Sequence, residues 1–244
     1  MTEILSYGGG VQTVAMCVLV ATGKLPKPDA VIAADTGREM PTTWEYADTY
    51  MRPLLASVGL ELHVAGHELA TVDVYAHNGD LLVPAYTTSG KLPTFCSNEW
   101  KQRVVERYAR KLGHATADLV AWIGFSQEER KRVKGYDGRR YPLLELMMTR
   151  ADCERLILGA GLPLPKKSRC YMCPHQHNSE WREVRAIPEL WQQAIDLDRE
   201  IRENDDRNAV YLHRDRLPLE RVTLDAPTIK EVEERQCGLG LCFV

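Results

Sequence analysis

No apolar run in this chain approaches the length needed to cross a bilayer, and its first residues lack the charged, apolar and small-residue segments of a secretory leader. A cytoplasmic protein with no membrane partner is expected. A large charge imbalance is also missing: 31 Lys and Arg stand against 34 Asp and Glu, so the molecule as a whole is not drawn to nucleic acid. Basic residues cluster only locally, over 130–134, 139–140 and 166–169, and a cationic rim on a nearly neutral body suits a small anion. Neither an internal repeat nor a low-complexity stretch breaks the 244 residues, which suffice for one large α/β domain with at most a small appendage. Two nucleotide-binding signatures are absent as well. There is no GxxxxGKS/T, and no third glycine follows Gly8, Gly9 and Gly10 to complete GxGxxG.

What is present is a strand that runs directly into glycines. Residues 3–6 are strand-forming, Ser6-Tyr-Gly-Gly-Gly-Val-Gln-Thr13 is a glycine-rich turn, and an apolar helical pattern over 11–22 follows at once. Glycines let successive backbone N–H groups converge on a phosphate-sized anion, and the positive end of the following helix adds a fixed partial charge. Ser6, Gly8, Gly9, Gly10, Gln12 and Thr13 are therefore the expected phosphate contacts. Further apolar runs at 29–34, 60–65 and 119–124 read as strands, and 42–57 and 98–112 as helices. Such alternation implies an α/β fold, a doubly wound parallel sheet with helices on both faces and ligands beyond the carboxyl ends of the strands. A second turn, Asp35-Thr36-Gly37, falls at the same edge, where a nucleoside would lie; helix capping by Asp35 and Thr36 is the alternative. Arg130, in a basic stretch with Lys131, Arg132 and Lys134, is the expected arginine contact to phosphate or sulfate, because its planar fork matches such anions.

Past residue 141 the pattern changes to a helix near 150–159, a Pro-rich basic connector over 162–169 and two helices over 179–187 and 188–204. The expected organisation is a nucleotide-binding domain over 1–150 and a helical, irregular extension over 151–244. There are seven cysteines, an odd number with two short-spaced pairs. In a reducing compartment this argues against a disulfide framework and for metal, cluster or thiol chemistry. Cys17 and Cys153 lie in apolar helical patterns and read as buried. Cys170-Tyr-Met-Cys173, with Cys96 upstream and Cys237 and Cys242 downstream, leaves three readings open. These are a 4Fe-4S cluster on Cys96, Cys170 and Cys173 with Cys237 or Cys242, a structural zinc on the same ligands, and a redox-active thiol pair. His175 and His177 read as loop residues.

Taken in order, the motifs resemble one family. Ser6 to Thr13 resembles the PP-loop of the adenine nucleotide alpha-hydrolase superfamily, and specifically of its phosphoadenosine phosphosulfate (PAPS) reductase branch. Asp35-Thr-Gly-Arg-Glu-Met-Pro41 is similar to the family's DTG turn, and Thr94-Phe-Cys-Ser-Asn-Glu-Trp-Lys101 to its cysteine-plus-basic segment. Gly124-Phe-Ser-Gln-Glu-Glu-Arg130 is similar to the turn after its fourth strand. Tyr141-Pro-Leu-Leu-Glu145 and Met148-Thr-Arg-Ala-Asp152 resemble its Pro-Leu and M-T-x-x-D pair. Gln12 and Thr13 stand where ATP-pyrophosphatase relatives have Asp and Ser, which is closer to the reductases.

The resemblance implies a five-stranded HUP/Rossmann-like sheet and an adenine nucleotide as ligand: PAPS, adenylylsulfate or ATP, with Mg if ATP is used. It implies that Cys237, in Gln236-Cys237-Gly238, attacks the sulfonyl sulfur, that Cys242 resolves the oxidised form, and that a thioredoxin-type reductant restores the thiols. The expected enzyme is a reductase that forms sulfite. ATP-dependent thiolation or modification of a tRNA or DNA base is the alternative, and a zinc-stapled nucleic-acid-binding module without catalysis is a third.

Overall fold

The computed structural model describes residues 1–66, 73–114, 118–133, 135, 137–206 and 209–225. In chain order its elements are β1 (Thr2–Tyr7), α1 (Val11–Ala21), β2 (Ala30–Ala34), α2 (Pro41–Tyr46), α3 (Arg52–Ala56), β3 (Leu62–Ala65), β4 (Tyr86–Thr87), β5 (Gly90–Lys91), α4 (Arg103–Lys111), β6 (Leu119–Trp122), β7 (Arg139–Arg140), α5 (Pro142–Glu145), α6 (Arg150–Gly159), α7 (Asn178–Arg185) and α8 (Pro188–Glu203). They divide into two units, one of Met1–Val72 and Ser97–Arg169, the other of Asp73–Cys96 and the chain from Cys170. The first unit thus runs past residue 150, because α6 packs on α1 through Cys153 and Ile157.

The first unit is an α/β structure with a Rossmann-like core. Its five strands are all parallel, in the order β3-β2-β1-β6-β7. Both faces are covered, and the strand sequences say why. In β2 every position is small or apolar: Val31 and Ala33 join Leu5, Tyr7 and the apolar side chains of α1, while Ala30 and Ile32 join Ile4, Val104, Val105 and Ala109 on the opposite face. Sandwiched between the sheet and α6, α1 buries eight of its 11 residues. In contrast, α4 is amphipathic, with Val104, Val105 and Ala109 inward and Arg103, Arg107 and Arg110 in solvent.

Two departures from the sequence expectation have local causes. The single helix expected over 42–57 is split by a wide π turn, Ala47–Met51, between α2 and α3. Pro53 has no N–H to return to the carbonyl one turn back, and its ring needs room there, so the preceding turn widens. The fifth strand is the charged pair Arg139–Arg140. Arg140 is held by both oxygens of Glu145 at 2.9–3.1 Å, by Glu3 at 3.2 Å, and over the Trp122 ring at 4.9 Å.

In the second unit β4 and β5 form an antiparallel hairpin, and Tyr86 also bridges Tyr211. α8 carries Asp198, fully buried, whose carboxylate accepts the Leu212 N–H at 2.8 Å and the Leu219 N–H at 2.9 Å and pairs with Arg202 at 3.4 Å. His213, also fully buried, accepts the Asp215 N–H on Nδ1 at 3.2 Å, which places the ring proton on Nε2 against Asn178 Oδ1 at 3.1 Å. Burial holds its pKa below the ordinary histidine value, with Asp215 pulling the other way. Among the described residues no helix is long and apolar enough to cross a membrane.

Candidate nucleotide site and the cysteines

Because the strands are parallel, the turns after β1, β2 and β6 emerge at one edge of the sheet. Strand order reverses at β1, with β2 on one side and β6 on the other, and such a switch point leaves a crevice for ligands. After β1 the chain turns through Gly8, Gly9 and Gly10 into α1. Gly10 is the N-cap, no side chain caps the helix, and no acidic residue stands in its first turn. The first-turn N–H groups therefore keep their donors and their positive end for an external anion. Gly9 has φ +72°, and a Cβ there would lie 2.6 Å from Thr43 Cγ2 and 3.5 Å from Ser168 Cβ. The loop is thus seated against α2 and the 166–169 connector.

Beside the loop is a cleft of about 50 Å³, lined by Ser6 to Gly9, Ala33, Ala34, Glu39, Thr43, Trp44, Lys101 and Val105. Ser6 and Val105 lie on the α4 face of the sheet. Lys101 pairs with Glu39 at 2.6 Å, and the Ser168 hydroxyl donates to the other Glu39 oxygen at 3.3 Å. The sequence places Glu39 and Lys101 in separate motifs, Lys101 as a cation near Cys96; their pairing joins β2's turn to the segment before α4.

Other expected contacts sit differently. Thr13 donates its hydroxyl to the Gly10 carbonyl at 3.1 Å, bracing the cap. Asp35 accepts the Gly37 N–H at 2.7 Å, and Thr36, 1% exposed, accepts the Arg38 N–H at 3.3 Å. These bonds brace the turn itself. Neither residue caps a helix, because α2 begins at Pro41 with Met40 as N-cap. The Gln12 amide donates to Glu129 at 3.0 Å, tying the first turn of α1 to the turn after β6. Gly124 makes that approach feasible, since a Cβ there would lie 2.9 Å from Thr13 Cγ2 and 3.3 Å from Gln12 Cβ. Arg130 lies on the 3-10 turn Gln127–Arg132, exposed, with no side-chain partner among the described residues. Lys134 lies outside the described residues.

Glu129 falls in the motif after the fourth strand but carries no role there, yet it holds both Gln12 and Arg132. Glu129→Ala is expected to lower stability by about 1.5–3 kcal/mol, the scale of a hydrogen bond to a charged group, and, for the nucleotide expected from the motifs, to weaken binding several-fold by loosening the α1 turn. Melting curves and nucleotide titration check it. A variant matching wild type in both would show that the Gln12 contact carries no load.

The second unit contains Cys96, Cys170 and Cys173, all half-buried. The Cys173 N–H donates to the Cys170 carbonyl at 3.1 Å, closing the CxxC turn, and the Cys96 N–H donates to Leu82 at 2.9 Å. Among the described residues no three His, Cys, Asp or Glu side chains gather as a metal-ligand set. Cys237 and Cys242 lie outside the described residues. Nearby, the Lys91 amine is hydrogen-bonded to His175 Nε2, and the Tyr86 hydroxyl donates to the Pro174 carbonyl at 3.3 Å. The His177 N–H donates to Glu180 at 2.9 Å at the start of α7. Cys17 and Cys153 are fully buried, and burial pushes both thiols up to about 12, where they are inert.

Fold and loop geometry therefore define an α/β protein with a Rossmann-like sheet and a glycine-rich, uncapped helix start at its carboxyl edge. Comparison of the chain with protein-family models, curated proteins and solved structures finds no match.

Proposed function

We propose that the chain is an adenine-nucleotide-binding enzyme of sulfur chemistry, of the PAPS reductase branch of the adenine nucleotide alpha-hydrolase superfamily, which reduces adenylylsulfate or PAPS to sulfite. The observation that carries this reading is the uncapped N-terminus of α1 at the strand-order reversal, opening beside a cleft that contains Lys101. In this reading the amides of Gly8 to Gly10 and the Ser6 hydroxyl hold phosphate or sulfate, with Arg130 at the rim.

A thiolate, assigned to Cys237, attacks the sulfur of the sulfonucleotide. An S–S bond forms, the S–O bond to phosphate breaks, and the nucleotide leaves with the electron pair. A dithiol reductant of the thioredoxin type then releases sulfite and is itself oxidised to a disulfide, so two electrons pass from dithiol to sulfur. No step is routed through a metal. A 4Fe-4S cluster or zinc would need Cys96, Cys170 and Cys173 joined by Cys237 or Cys242.

Anaerobic incubation with adenylylsulfate or PAPS plus thioredoxin should release sulfite, and Cys237→Ser should abolish it. Absence of sulfite with both nucleotides, under conditions where the protein binds them, sinks the reductase reading. The exposed cations Arg130, Lys131 and Lys166 favour ATP-dependent modification of tRNA or DNA as the second reading. Pyrophosphate release that requires added nucleic acid would select it.

A further inference from the structure

We propose that the cleft selects an adenine nucleotide with a free ribose 3′-hydroxyl, such as adenylylsulfate or ATP, over a 3′-phosphorylated one such as PAPS, and that Glu39 enforces the choice. The inference rests on the nucleotide reading above and decides among its ligands.

A nucleotide anchored by its phosphate on Gly8 to Gly10 extends its nucleoside into the adjoining cleft, whose wall includes the Glu39 carboxylate. The Glu39 side chain is only 4% exposed, so it acts on neighbouring charge with little screening by water. Its oxygens take the Lys101 amine at 2.6 Å and the Ser168 hydroxyl at 3.3 Å. Lys101, the one Lys or Arg among the residues lining the cleft, is thereby neutralised by Glu39.

On the other side of Glu39 lies an open groove of about 440 Å³, which shares Glu39 and Trp44 with the cleft. Its lining carries four carboxylates, Asp35, Glu39, Glu45 and Asp48, and no Lys or Arg. Arg52 balances Asp48 at 2.7 Å, which leaves the local field negative. A ribose hydroxyl entering this region donates to a carboxylate. A phosphate dianion there meets like charge against a poorly solvated wall, and discrimination by such repulsion is the stronger route to specificity when the two ligands are otherwise identical.

The test is calorimetric titration of the full chain with AMP and with adenosine 3′,5′-bisphosphate, which differ only in the 3′-phosphate and require no turnover. Wild type should bind AMP at least about tenfold more tightly, and Glu39→Gln, which keeps the shape and removes the charge, should narrow or invert that ratio by about tenfold. The melting curve of Glu39→Gln establishes that it is folded; should it not fold, the wild-type ratio decides alone. Bisphosphate bound by wild type as tightly as AMP, or a ratio unmoved in folded Glu39→Gln, overturns the inference and leaves the nucleotide reading standing. Binding of neither ligand overturns that reading and the inference together.

Discussion

Asp198→Ala should destabilise the second unit by about 3–5 kcal/mol, the cost of removing one partner from a buried charged network. The alanine would strand two main-chain donors, the Leu212 and Leu219 N–H groups, and leave Arg202 without its 3.4 Å partner. Asp198→Asn keeps the shape and one carbonyl acceptor, so its loss should be about half as large. Burial pushes the Asp198 carboxyl above its ordinary value, although the Leu212 and Leu219 amides and Arg202 pull it down. The folded chain therefore takes up this proton at a higher pH than the unfolded chain does. Stability linked to it is present below the unfolded carboxylate pKa and is lost as pH rises through the folded one. Mild acid will not unfold the unit through this residue. Urea melts of the three proteins measure the series; an alanine variant within about 1 kcal/mol of wild type would refute the hub assignment.

Gly9→Ala should be the most damaging single change in the glycine loop before α1. The backbone there sits at φ +72°, which costs an L-residue about 1–2 kcal/mol, and the new methyl would stand 2.6 Å from Thr43 Cγ2. Either the loop lifts off α2 or α2 moves, and both outcomes disperse the amides that would face the proposed nucleotide. Loss of nucleotide binding by at least about 100-fold is expected, since positioning of fixed donors dominates such sites. Gly8→Ala is the internal control. Nothing lies within 4 Å of its Cβ position, so that variant should melt like wild type. Equal melting temperatures and equal nucleotide affinities for the two alanine variants would contradict the seating of the loop.

The first unit was readable from sequence where local pattern and burial agree. A strand buried on both faces has to be apolar throughout, as Ala30–Ala34 is, and a glycine run between a strand and the apolar pattern of Val11–Ala21 marks the turn where they join. Arg139–Arg140 could not be read in this way, because two arginines become a strand only through Glu3, Glu145 and the Trp122 ring, all supplied by tertiary structure. The hairpin Tyr86–Thr87 and Gly90–Lys91 escaped for a similar reason: two-residue strands carry no periodicity. At the candidate site the glycines announce themselves, whereas the pairs that shape the cavity do not. Lys101 and Glu39 are 62 positions apart and Gln12 and Glu129 are 117 apart, so the motifs that contain them give no sign of which partner each will find.

The interleaving of the two units bears on how the chain matures as it is made. Tyr86 must wait for Tyr211 to be synthesised before its bridge can close, and Asp73–Cys96 has its remaining companions only after Cys170. Met1–Val72 already brings together β1, β2 and β3, with their partner α4 emerging once β4 and β5 have been made. Nascent chains should therefore acquire protease resistance in two stages, the parallel-sheet unit early and the unit bearing Cys170 and Cys173 late, with the early hairpin segment awaiting its partners in between.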